Sequence, residues 1–118
     1  MGTDQHLELR NRTKRFALRV LKVTQALPNN RAGWNFGDQL LRCATSVAAN
    51  YRAAGRSRSK AEFIAKISIC LEECDESQFW MEMLVESCMI SQKKLQPLLD
   101  EAGELTAIFT ASRTTARS

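Results

Sequence analysis

Residues 59–88 read SKAEFIAKISICLEECDESQFWMEMLVESC. Within them Phe63, Ile67, Cys70, Cys74, Ser77, Met81, Leu84 and Cys88 recur at steps of four and three. That is the period at which one side of an α-helix meets a core. Ile64, Leu71 and Val85 widen the stripe on one flank. Ser59-Lys60-Ala61-Glu62 has the form of a capping box, whose hydroxyl and carboxylate serve amides that the first turn leaves free. About thirty residues without Gly or Pro suit the spanning helix of a bundle.

Upstream, Leu40, Ala44, Val47, Tyr51 and Ala54 form a second stripe. Asn35 is the expected cap at its start, and Gly55 the expected left-handed residue past its end. Before it, Phe16, Val20, Val23 and Leu27 mark a helix that Asp4 can open and Pro28 closes. Downstream, Ser91 can cap a last helix carrying Leu95, Leu98, Leu99, Ala102, Leu105, Ile108 and Phe109. Pro97 predicts a late start or a kink there. The expected helices are about 4–27, 35–54, 59–89 and 92–112, with a disordered tail from about 113. One domain of 118 residues with short connections makes an all-α, up-down-up-down antiparallel four-helix bundle.

A composition 44% hydrophobic and 25% charged excludes a disordered chain. No apolar run approaches the length of a membrane span. Met1-Gly2 does not make an acylation signal, because His6 stands where a hydroxyl is wanted. The expected location is cytoplasmic. Cys43, Cys70, Cys74 and Cys88 lie inside helical patterns, with no CxxC and a single histidine, so they are expected as small apolar side chains. No metal or other cofactor is expected. The net charge of +4 conceals an asymmetry. Residues 1–60 hold twelve Lys/Arg against three acids, and residues 61–118 hold five against ten. Such a division implies a face for a polyanion, or complementary surfaces that meet in an assembly.

On a helical wheel Ile69, Phe79, Trp80 and Met83 fall away from the Phe63–Cys88 stripe. A lone bundle buries one stripe per helix, so these four are expected at an interface between copies. Glu72, Glu73, Asp75 and Glu76 invite a metal or acid–base reading. Carboxylate-bridged metal bundles pair Glu with His, however, and the one histidine is His6. Nor is there a phosphate loop, an HExxH or a nucleophile–base–orienter set, so no catalytic residue is assigned and the chain is not expected to be an enzyme. Ser46 and Asn50, one turn apart beside the second stripe, are expected to fix packing through hydrogen bonds.

Phe36-Gly37-Asp38-Gln39-Leu40-Leu41-Arg42, Ser46-Val47-Ala48-Ala49-Asn50-Tyr51-Arg52-Ala53-Ala54, Arg56-Ser57-Arg58-Ser59-Lys60-Ala61-Glu62-Phe63-Ile64-Ala65-Lys66 and Glu72 to Trp80 together carry a resemblance that spans about Phe36 to Ala111. They resemble the bacterial four-helix bundle family named after proteins encoded in 23S rRNA intervening sequences. The accessory variability determinant of diversity-generating retroelements is similar to that family in fold. The resemblance implies an up-down bundle that assembles as a ring, a homopentamer. It also implies, for the retroelement branch, a basic surface that meets nucleic acid and a reverse transcriptase. Ala53 stands where the commoner family pattern has Glu.

The expected function is therefore a non-enzymatic oligomeric binding or scaffold protein that contacts RNA or DNA. The candidate contacts are Arg10, Arg12, Lys14, Arg15 and Arg19 on the first helix, with Arg52, Arg56, Arg58 and Lys60 around the second turn. A protein-binding adaptor with no nucleic-acid role is the alternative, and a metal-dependent hydrolase built on the third-helix carboxylates a distant third.

Overall fold

The computed structural model describes residues 3–118; Met1 and Gly2, and the acylation reading that rests on them, lie outside the described residues. Four helices follow one another, α1 (Thr3–Gln25), α2 (Arg31–Ala54), α3 (Lys60–Glu86) and α4 (Gln92–Arg117), and no strand occurs among the described residues. Each helix packs along its predecessor, as turns of a few residues require. Helix α4 closes back on α1 over a much thinner seam, while α1 and α3 stand diagonally apart with no close backbone approach. The molecule measures 44 × 22 × 21 Å.

Phe16 and Val20 of α1, Leu40 and Val47 of α2, Ile67, Met81 and Leu84 of α3, and Leu95, Leu105 and Phe109 of α4 are wholly buried. Each such side chain contributes about 1.5–3 kcal/mol relative to exposure. Two hydroxyls share this interior. Thr13 Oγ1 donates to the Arg10 carbonyl at 3.0 Å and Ser77 Oγ to the Glu73 carbonyl at 2.9 Å, so neither is left unsatisfied.

The helix ends depart from expectation in four places. Helix α2 starts at Arg31, not near Asn35: Asn30 is the cap, its side chain accepting from Gly33 N at 2.9 Å. Buried Gly33 sits on the Pro28 carbonyl, where a Cβ has no room. Gly55 is not left-handed but has φ −66°. It is needed for a close approach instead, since a Cβ there would collide with the His6 imidazole. Helix α3 stops at Glu86, and Cys88 turns the chain with φ 64°. Cys88 is accordingly exposed, outside the core stripe. Helix α4 begins at Gln92, directly after its Ser91 cap, and runs through the expected tail to Arg117. Pro97 is exposed and deprives one carbonyl near the helix start of its intrahelical bond. The far end is secured where Arg113 reaches Ser68 of α3.

The capping box is also only half formed. Ser59 Oγ accepts from Glu62 N at 3.0 Å, but Glu62 Oε1 reaches past the cap to accept from Arg58 N at 3.3 Å.

Candidate functional site

The expected basic contacts divide into three groups. Arg12 is spent inside the molecule. Its guanidinium donates to both carboxylate oxygens of Glu101, at 2.7 Å each, and to Glu104 at 2.9 Å. The hydrogen bond to Glu101 holds Arg12 above its ordinary pKa despite partial burial, and the same bond holds Glu101 below the usual carboxylate range. Lys14, Arg15 and Arg19 project from α1 and have no carboxylate partner within salt-bridge distance among the described residues, while Arg10 is half-buried.

Arg52, Arg56, Arg58 and Lys60 gather at one end of the bundle, where α2 ends and α3 begins, and all four are exposed. Arg58 approaches Glu62 at 3.8 Å but is 89% exposed, a pairing that neutralises little. Sequence reasoning missed two further cations here. Because α4 stays helical, it carries Arg113 and Arg117 to the same end. Arg113 Nη1 lies 3.5 Å from Ser68 Oγ, and Lys60 Nζ lies 3.4 Å from the Ser118 carbonyl. His6 also belongs to this end: its ring stacks on Tyr51 with centroids 4.8 Å apart. Desolvation, then the charge of Arg10, lowers the pKa of His6.

The four expected interface residues do not share one exposure. Phe79 is half in solvent, at 49%. Ile69 and Met83 are half-buried, and Trp80 is covered in part by its own chain. Its ring lies 5.6 Å from that of Phe36 and its Nε1–H donates to Glu76 at 3.3 Å. Leu7 at 49%, Leu18 at 53% and Trp34 at 58% are equally exposed, and sequence reasoning did not single them out.

The acids of α3 are divided between solvent and an arginine of α2. Glu72 and Asp75 are exposed, whereas Glu73 and Glu76 both receive hydrogen bonds from Arg42 of α2. Hydrogen bonds from Cys43 first, then from Trp80, hold Glu76 below the ordinary carboxylate range. Cys43 Sγ, Glu73 and Glu76 are the one group of metal-type ligand atoms among the described residues, within 4.8 Å of one another. The Arg42 guanidinium already supplies the positive charge that these acids would otherwise draw from a cation, and it ties α2 to α3. No spacing rule finds this group, because Arg42 and its acids are over thirty residues apart.

Burial pushes the Cys43 and Cys70 thiols up to about 12 and Cys74 to about 11, which makes them poor ligands and poor nucleophiles. Ser46 and Asn50 form a local pair within α2. Asn50 Nδ2 donates to the Ser46 carbonyl at 2.9 Å and to its hydroxyl at 3.0 Å, with no bond to another helix. No helix is long and apolar enough to cross a membrane among the described residues.

A crystal structure of a protein with unknown function from the S23 ribosomal protein family of Bacteroides thetaiotaomicron is similar to this chain. The two are 27% identical, with a TM-score of 0.83 over 88% of this chain and 96% of that one. No curated protein matches. Residues 5–111 match the family described as 23S rRNA-intervening sequence protein, a span that adds α1 to the stretch carrying the motifs above. With that match over all four helices, the chain belongs to the 23S rRNA-intervening sequence protein family.

Proposed function

We propose that this protein is a non-enzymatic, self-assembling scaffold that binds the phosphate backbone of RNA or DNA at the basic end of its bundle. The observation that carries the reading is the gathering of Arg52, Arg56, Arg58, Lys60, Arg113 and Arg117 at one end. Among the described residues, Arg58 is the one member of this set that approaches a carboxylate within salt-bridge distance. Such side chains neutralise phosphates and release counterions, so they hold a backbone without reading its sequence. Burial of the Cys43, Cys70 and Cys74 thiols and the engagement of Glu73 and Glu76 by Arg42 support the non-enzymatic part of the reading. Self-assembly into a closed ring, with five copies as the family resemblance implies, multiplies the basic ends on one particle and raises avidity.

The test is a titration with a structured RNA and a duplex DNA at low and moderate salt. The expected result is binding whose affinity falls steeply as salt rises. Absence of affinity even at low salt would overturn the nucleic-acid reading and leave a protein-binding adaptor in its place.

A further inference from the structure

Leu18 and Phe79 are each about half exposed, and their surroundings are mirror images in charge. Around Leu18 on α1 stand Lys14 and Arg15, one turn before it, and Lys22, one turn after. None of these three has a carboxylate within salt-bridge distance among the described residues. Leu7 lies three turns earlier on the same side and is also exposed. Around Phe79 on α3 stand Asp75 and Glu76 one turn before it, with Glu82 and Met83 one turn after. Asp75 and Glu82 are exposed and unpaired by the same criterion. Helices α1 and α3 are diagonal, their backbones do not approach one another, and Leu18 and Phe79 lie on their exposed sides, so within one molecule these faces do not meet.

We infer that the α1 face of one copy, centred on Leu18, docks on the α3 face of the next, centred on Phe79. This rests on the self-assembly proposed above and specifies which surfaces mate. Each apolar centre then leaves water, and each charged rim meets its opposite, which fixes register and discourages α1–α1 or α3–α3 contacts between like charges. A contact between two different faces is heterologous, so each copy offers one of each and the assembly extends head to tail until it closes. Trp80, held against Phe36, acts as the backing of the docking face and not as its projecting knob. The α1 cations are thereby consumed between copies, and the basic bundle end stays free for phosphate.

Complementation between two disabled chains tests this. One chain carries Lys14→Glu with Leu18→Glu, the other Phe79→Glu, and circular dichroism checks that both keep wild-type helicity. All substituted sites are exposed, so the fold is not at stake. By light scattering, the wild type is expected to be an assembly and each variant alone a 13.3 kDa monomer. An equimolar mixture is expected to form one-to-one pairs and nothing larger, because each pair uses up the single good face of each member. Two variants that stay monomeric when mixed, or an α1 variant that still assembles alone, would overturn the mating while leaving assembly itself intact. A monomeric wild type would overturn assembly as a whole.

Discussion

The Arg12 guanidinium lies 2.7 Å from both carboxylate oxygens of Glu101 and so fastens α1 to α4 where few other contacts do. Paired forks of this kind are among the stronger polar contacts a half-buried surface makes. Replacing Arg12 by Ala should lower stability by about 1–2 kcal/mol, against about 0–0.5 for Lys14→Ala. Denaturant midpoints of the two variants check the contrast.

The same pair sets a pH dependence. Glu101 titrates below its ordinary value because Arg12 binds the ionised form. Its contribution is therefore complete above the unfolded Glu pKa of about 4.3, and is lost as pH falls through the lower folded value. Glu76, lowered by Cys43 and Trp80, adds a loss of the same sign. Urea midpoints measured from pH 6 down to pH 3 should fall, and Glu101→Gln should flatten that fall. Identical slopes for the two proteins would contradict the assignment.

At the opposite flank, Gly55→Ala should drive the His6 ring off Tyr51. The expected cost is about 1 kcal/mol or less, since the ring sits in the first turns of α1 and can swing away. The His6 pKa, held down mainly by desolvation, should return toward its ordinary value as the ring reaches water. NMR titration of the imidazole reads this directly. If His6→Ala is made first, Gly55→Ala should cost far less.

Thiol labelling should find one fast cysteine of the four. Cys88 is exposed, while Cys43, Cys70 and Cys74 are buried, with thiols pushed to about 11–12. The three should react only as the chain unfolds. More than one equivalent of rapid labelling in the native protein would place a second thiol in water.

Charge reversal should distinguish the bundle end from the seam. Arg56→Glu with Arg58→Glu is expected to weaken RNA and DNA binding alike and to reduce the salt slope by about one unit per lost contact. Arg12→Ala should leave unchanged the affinity for a short duplex that reaches only one bundle end, because Glu101 and Glu104 already hold that charge. Equal losses for both would move the interface away from the end.

Most of the architecture was legible because bundle cores write themselves into spacing. Leu40, Val47, Ile67, Met81, Leu105 and Phe109 all lie on the expected stripes and all are wholly buried. The chain ends of helices were less legible, for local reasons. Asn30 and Asn35 are equally good caps by type, and only the seating of Gly33 on Pro28 decides between them. The run Ser112-Arg113-Thr114-Thr115 reads as fraying, yet α4 continues through it because Arg113 and Lys60 find partners across the bundle. Pairing was the least legible. Nothing near Arg12 in sequence reveals Glu101, and the same is true of Arg42 with Glu73 and Glu76. Charge that looked available to a polyanion was therefore in part already committed, and cations written off with the tail were in place.

Helix α1 packs along α2 and meets α4 over a thin seam that the Arg12 guanidinium bridges. Thermal opening should therefore begin as a flap, with α1 lifting away before α2, α3 and α4 lose one another. Its amides should exchange with deuterium ahead of those of α3, and the proposed docking surface centred on Leu18 should be the first thing that a partial unfolding removes. On the proposed mating of α1 with α3, loosening this latch would dissolve the assembly without melting its subunits.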